Sequence, residues 1–275
     1  VVFQKNKILD ENIAKNYPGI LWVSILARIA SEAGIAVVTG DVAIRNISTN
    51  KWEPSEILVI QEQSAWQGAE LINLGAVPLV LVCQESPLYV PDFYTSLPKL
   101  SAPFRNRILF RGALPETSLM GKNHILFFPS FRREQEISTI PWEERKFLVM
   151  VAANKYWKIR RSVPRKLMAW ARDYILGRNT QIPPETIKLQ LHDKRLELVE
   201  YFGRSGSLDL FGTNWENISH LSEKWRGLED VIEKLNPVPC IDKQEVISKY
   251  KYAICLENME YPGYVTEKII DCFRV

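Results

Sequence analysis

Near the end of the chain, Tyr252 to Phe273 read "YAICLENMEYPGYVTEKIIDCF". An apolar run leads into a short aromatic loop, and the loop opens a helical pattern whose first charged residues are Glu267 and Lys268. A helix start presents backbone N–H groups without intrahelical partners, which favours anions such as phosphate. Lys268 adds a full positive charge there. The Glu267 carboxylate can accept two hydrogen bonds, which suits the paired hydroxyls of a sugar. Tyr261 and Tyr264 offer flat ring faces. Together these types supply a diphosphate contact, a hydroxyl contact and a stacking surface. They also have a plain structural account. An acid in the first turn of a helix is favoured by the macrodipole, and Thr266 suits an N-cap. On the residues alone, both readings stand.

These side chains need a scaffold. Tyr252–Asn258 reads as a strand, and in open α/β sheets ligands bind beyond the carboxyl ends of strands. The first half of the chain alternates strand and helix patterns. "AVVTG" (36–40), "EILVIQ" (56–61) and "VPLVLVC" (77–83) are short, β-branched and turn-bounded, and predict buried strands. "WVSILARIASEAG" and "SAWQGAELINLG" carry helical spacing and stop at Gly34 and Gly75. This alternation predicts a parallel sheet with helices on both faces. Pro87, Pro91, Pro98 and Pro103 punctuate residues 85–110, which read as loop. "HILFFP" (124–129) predicts another strand. A strand from Phe147 to Ala152 opens a second α/β domain, which sets the expected domains at 1–146 and 147–275. In that second half "DKRLELVEYFG" predicts a helix ending near Gly203, and "SLDLFG" a strand ending in a glycine turn. The sequence has no internal repeat and no low-complexity tract.

Composition is that of a globular chain: 275 residues, 46% hydrophobic and 24% charged, enough for one large or two ordinary domains. A net charge of +3 gives no reason to expect nucleic acid as a partner. Cys83, Cys240, Cys255 and Cys272, and His124, His192 and His220, lack metal-ligand spacing. Cys255 and Cys272 lie in apolar runs and read as small core residues. The sequons at Asn46 and Asn217 matter only in a secreted chain and read as chance occurrences. No apolar run reaches the length of a membrane span and no signal peptide is present. With no cysteine framework, the expectation is a bacterial protein in the cytoplasm or peripheral at the inner membrane face. The chain begins at Val1 and stops at Val275 within a helical pattern, which reads as a trimmed piece; the Golgi lumen is the alternative if an N-terminal anchor has been removed. Residues 155–178 are strongly basic. Leu167, Trp170, Ala171, Tyr174 and Ile175 share one face of a helix opening near Pro164. That is a solvated surface helix, or a peripheral contact with an anionic membrane or lipid-linked acceptor.

The segment "CLENMEYPGYVTEKIIDCF" resembles the signature of the α-1,3/4-fucosyltransferases, in which F-E-N is followed after a short gap by a Y-(V/I)-T-E-K run and an apolar helix. Glu257, Asn258, Tyr264, Val265, Thr266, Glu267 and Lys268 match in order, with Leu256 in place of the usual Phe. "CQESPLY" (83–89) is similar to the family's E-S-P loop. "RKFLVMVAANK" is similar to the strand before its S-N segment, with Ala153 where Ser is usual. "HDKRLELVEYFGRSGSLDLFGTNW" is similar to the segment that carries its donor-binding Arg, although a longer stretch than usual separates Asn154 from Arg195.

The resemblance implies two Rossmann-like domains in a GT-B arrangement, the second truncated at its C-terminus, where the family's following glycine turn and apolar strand are missing. It implies inverting transfer of L-fucose from GDP-fucose to a glycan hydroxyl, α-1,3 to an N-acetylglucosamine or glucose unit, with no metal and no cofactor beyond the donor substrate. The sequence has no Asp-x-Asp motif. Without a metal, Lys268 and Arg195 become the expected partners of the leaving diphosphate. Glu267 is expected on ribose or fucose hydroxyls, with Asn258, Tyr264, Thr266 and Asn154 lining the donor site. Glu85 resembles the proposed catalytic base. The expected partners are a nucleotide sugar and a glycan acceptor. The competing readings are a GT-B glycosyltransferase with another nucleotide sugar, a non-catalytic relative, and a basic membrane-associated scaffold.

Overall fold

The computed structural model describes residues 5–14, 21–63, 67–110, 123–125, 140–155, 184–216, 223–225, 227–240, 242–273 and 275. The chain divides into two compact units, Val1–Glu85 with Phe93–Glu134, and Ser86–Asp92 with Gln135–Val275. Each has α/β architecture around a parallel sheet. Among the described residues no helix is long and apolar enough to cross a membrane.

In the first unit the sheet order is β1 (Leu58–Glu62), β2 (Val77–Val82), β3 (Asn106–Ile108), β4 (Asn123–Ile125), all parallel. The β1–β2 register slips between Val59 and Ile60, beside the pairing with Pro78, a residue with no N–H to give to the ladder. Helices α1 (Leu21–Glu32), α2 (Gly40–Ser48) and α3 (Gln67–Asn73) belong to this unit, and α1 and α3 stop just before the expected Gly34 and Gly75. Of "HILFFP", the described part is inside β4; residues 126–129 lie outside the described residues.

Two expectations fail here. Residues 36–40 form no strand. The Thr39 N–H donates to Asn6 Oδ1 at 2.8 Å, the Asn6 N–H returns a bond to Thr39 Oγ1 at 3.0 Å, and the chain turns directly into α2 at Gly40. A β-branched pair such as Val37–Val38 favours a strand only where a neighbouring strand receives its backbone groups. The proline-rich stretch 85–110 is not all loop. It holds helix α4 (Pro91–Ser101) as well as β3. Pro91 occupies the first helical position, where its missing N–H costs nothing, and Pro98 is tolerated farther along. Phe93, Leu97 and Ser101, at helical spacing, are all buried. That buried stripe outweighs the prolines.

In the second unit β5 (Lys146–Val151) is central, between β6 (Leu208–Phe211) and β7 (Tyr250–Ile254). Leu148, Val149 and Met150 are all buried, as expected for a parallel strand covered on both faces. On the face of Leu148 and Met150 lie helices α5 (His192–Arg204) and α6 (Leu228–Leu235), with Leu196, Val199, Val231 and Ile232 in one core with Trp215 and Trp225. On the face of Val149 and Val151 lie α7 (Lys243–Ile247) and α8 (Glu267–Phe273). Helix α5 ends at Arg204, near Gly203 as expected. A Cβ at Gly203 would meet Val231 Cγ1 at 2.5 Å on α6, so a glycine lets the two helices approach there, and the left-handed residue just past the helix is Gly206, at φ +68°. Strand β7 is shorter than expected, so Leu256, Glu257 and Asn258 belong to the loop that follows.

Candidate functional site

Strands β5 and β7 are neighbours, and helices α5 and α8 cover opposite faces of the sheet. The region beyond the carboxyl ends of such strands is the usual ligand position in a doubly wound sheet. A cleft of about 170 Å³ lies there. Its walls are residues 150–153 with Lys155 after β5, residues 253–256 with Asn258 after β7, Arg195 of α5, Lys243 of α7, and Glu267, Lys268 and Cys272 of α8.

The loop after β5 is held from behind. Ala152 N–H donates to Phe211 O at 2.8 Å and Asn154 N–H to Thr213 O at 2.9 Å. Trp215 Nε1–H donates to Ala152 O at 2.7 Å. Gly212 makes this approach possible: it sits at φ +133°, and a Cβ there would lie 2.0 Å from Ala152 O.

Arg195 is 5% exposed. Its Nη1 donates to Ala153 O and its Nη2 to Leu256 O, each at 3.4 Å, so the guanidinium bridges the loops after β5 and β7. Nη1 also lies 3.4 Å from His192 Nδ1. A guanidinium only donates, so Nδ1 accepts, and the imidazole proton on Nε2 points to the Tyr89 hydroxyl 3.0 Å away. All three contacts of Arg195 are long for hydrogen bonds. Among the described residues no carboxylate stands within ion-pairing distance of it, and burial holds its pKa below the usual guanidinium value against the pull of Tyr89 and Glu257. A buried, loosely bonded cation on a cleft wall is set up to receive an anion.

Lys268 has a different environment. Its Nζ donates to Glu257 Oε2 and to Thr266 Oγ1, each at 2.8 Å. Glu257 also accepts from the Thr266 N–H at 2.7 Å and from Thr266 Oγ1 at 2.8 Å. The start of α8 is thus tied to the loop after β7 through one carboxylate. Glu267 Oε1 is 3.9 Å from the same ammonium, on a more exposed side chain. Lys243 Nζ pairs with Asp271 Oδ2 at 3.0 Å, joining α7 to α8. Asp242 caps α7 by accepting from the N–H groups of Gln244 and Glu245.

Of the residues expected at the site, Arg195, Asn258, Glu267 and Lys268 line this one cleft. Asn154, Tyr264 and Thr266 are buried and are not among its walls. Tyr264 therefore offers no open ring face; its hydroxyl accepts from Asn258 Nδ2 at 3.4 Å, and its N–H closes the Tyr261–Pro262–Gly263 turn on Tyr261 O. Glu85 is in the first unit, where its main-chain oxygen accepts from the Tyr94 hydroxyl at 2.9 Å. Of the basic stretch only Lys155 is described, at the cleft and over the Tyr89 ring at 5.2 Å; residues 156–178 and the sequon at 217 lie outside the described residues.

Sequence reasoning missed several participants. Glu257 reads only as part of a motif, though its position before Asn258 in an apolar run is the mark of an acid with a partner. Lys243 and His192 carry no local signal. Cys255 and Cys272, expected in the core, are half-buried on the cleft wall. Among the described residues no group of three or more His, Cys, Asp or Glu side chains is arranged to hold a metal ion. Comparison with protein-family models, with curated proteins and with solved structures finds no match to this chain.

Proposed function

We propose that this chain binds GDP-fucose in the cleft beyond β5 and β7 and transfers L-fucose, with inversion, to a hydroxyl of a glycan acceptor. The observation that carries the proposal is Arg195. Lys268 and Lys243 each have a carboxylate within 3.0 Å, whereas the guanidinium is buried on the same wall with carbonyl and imidazole contacts alone among the described residues. A diphosphate supplies the missing negative charge. The resemblance of residues 256–268 to the fucosyltransferase signature selects the donor, and the GT-B arrangement of the two units is part of the same proposal.

In this reading the acceptor oxygen attacks the anomeric carbon of fucose, and the bond from that carbon to the diphosphate oxygen breaks. The electron pair leaves with GDP, and the acceptor proton passes to the Glu85 carboxylate. Arg195 and Lys268 stabilise the charge growing on the leaving group, each contact worth roughly 10²–10³ in rate. Glu267, the more exposed acid at the start of α8, accepts from ribose or fucose hydroxyls. A cleft of about 170 Å³ is below the roughly 300–1,000 Å³ of whole-ligand sites, so it encloses one part of the donor. The diphosphate is the part its cations suit.

Calorimetry tests this directly. The chain should bind GDP and GDP-fucose, and Lys268→Ala and Arg195→Lys should each weaken that binding at least tenfold. Binding of UDP-sugars in preference to GDP would replace the donor. A folded chain that binds no nucleotide would remove the function.

A further inference from the structure

In sequence Tyr89 only ends the E-S-P loop, yet it stands beside two cations of the cleft. The segment Ser86–Asp92 belongs to the second unit, apart from the residues on either side of it. Its backbone is fixed. Ser86 and Leu88 are buried, and the N–H groups of Tyr89 and Val90 donate to Ser86 O at 3.0 and 3.2 Å. From this turn the Tyr89 ring lies under the Lys155 ammonium, with Nζ 5.2 Å from the ring centre, a cation–π distance. The Tyr89 hydroxyl is 3.0 Å from His192 Nε2, and the two ring planes stand at 85°.

His192 is held as firmly. It is 2% exposed and opens α5. Gln190 Oε1 accepts from its N–H at 2.6 Å. The residues before it pair with the loop after β7, Leu191 N–H donating to Asn258 O at 3.0 Å and Glu260 N–H to Leu189 O at 2.7 Å. Its Nδ1 faces Arg195 Nη1 at 3.4 Å. Arg195 carries five N–H donors. Ala153 O, His192 Nδ1 and Leu256 O take at most three, so among the described residues at least two remain, on Nε and Nη2.

Resting on the reading of the cleft as a diphosphate site, we propose that Tyr89 is a positioning residue for two of its cations. Its ring holds Lys155 directly, which makes Lys155 a third contact for the diphosphate beside Arg195 and Lys268. Its hydroxyl holds Arg195 through the His192 imidazole. A guanidinium cannot accept, so His192 Nδ1 carries no proton and Nε2–H donates to the Tyr89 oxygen. The partner of one ring nitrogen sets the state of the other. The hydroxyl therefore selects the tautomer that accepts from Arg195. Without it the Nδ1–H tautomer competes, and N–H is set against N–H.

Calorimetry with GDP and with inorganic pyrophosphate tests this. Tyr89→Phe keeps the ring under Lys155 and removes the hydroxyl. Both ligands should then bind about three- to tenfold more weakly, with the melting temperature unchanged. Tyr89→Leu removes the ring face as well and should lose at least about a further threefold. In an Arg195→Lys background Tyr89→Phe should add no loss, because the hydroxyl acts through Arg195. Nitrogen NMR of the ligand-free chain reads the tautomer without any nucleotide, and His192 should show Nε2–H with an unprotonated Nδ1. An Nδ1-protonated ring, wild-type affinity in Tyr89→Phe, equal losses in both backgrounds, or a wild-type chain that binds neither ligand would each overturn the role of Tyr89. Where pyrophosphate binds and GDP does not, the nucleotide-sugar reading fails, and the same ratios on pyrophosphate still decide the role of Tyr89.

Discussion

Lys268 Nζ lies 2.8 Å from Glu257 Oε2, and both groups hold the hydroxyl of Thr266. The ammonium is therefore oriented before any ligand arrives, at the junction between the loop after β7 and α8. Removing the cation should cost more than removing the counter-charge. Lys268→Met leaves a mostly buried carboxylate without its cation and should lose about 1–3 kcal/mol. Glu257→Gln still accepts the Thr266 bonds and should lose less. Urea denaturation of the two variants checks the order, and equal losses would contradict it.

Trp215 fixes the other wall. Its indole N–H meets Ala152 O at 2.7 Å from a fully buried ring. Trp215→Phe leaves that carbonyl short of a donor, for about 1–3 kcal/mol, and frees the loop that carries Ala153 to Lys155. Nucleotide affinity should fall with stability, measured by calorimetry and thermal melting.

Gly212 tolerates no side chain. The left-handed φ and the 2.0 Å approach to Ala152 O act together, so Gly212→Ala should destabilise the second unit by about 2–4 kcal/mol. Denaturant titration followed by tryptophan fluorescence reads this through Trp215. A neutral result would show that the loops after β5 and β6 separate freely.

The Asp209–Tyr250–Lys146 cluster gives the pH dependence. Burial raises the Asp209 carboxyl, but hydrogen bonds from Lys146 and Tyr250 outweigh it and the net shift is downward. Tyr250 moves upward, through burial first and then its bond to Asp209. A depressed carboxylate stabilises above its unfolded pKa of about 3.9 and loses that contribution as pH falls through the folded value. A raised phenol stabilises below about 10 and loses its contribution as pH rises through the folded value. The cluster therefore acts between these limits. Tyr250→Phe should flatten the stability profile at both ends, by under about 1 kcal/mol, since Asp209 is partly solvated. An unchanged profile would place the pH dependence elsewhere.

Glu85 carries the proposed base role. Glu85→Gln should lower kcat about 10²–10⁴-fold while GDP-fucose affinity stays unchanged. Near-normal turnover would remove Glu85 from the reaction. A parallel loss of donor affinity would make it a binding residue.

Much of the scaffold was legible because its causes are local. The 3.6-residue spacing and terminal glycines of α1 and α3, and the β-branched runs of β1, β2 and β5, depend on neighbours in sequence. Where the outcome depends on a distant partner, the reading failed. Ala36 to Gly40 has strand composition but no strand to pair with. The prolines around α4 suggested loop until the burial of Phe93 and Leu97 fixed a helix.

The site divides in the same way. The sequence alone determined that Glu267 and Lys268 open a helix after a parallel strand, with Thr266 just before it. Only the tertiary structure decided that Arg195 reaches the same cleft, that Glu257 holds Lys268, that Tyr264 turns inward, and that Cys255 and Cys272 line the cleft wall. The reason is physical. Local patterns fix where a chain turns and which face it buries, but the partner of a charge is set by which strand ends lie side by side, and that follows from β5 lying between β6 and β7.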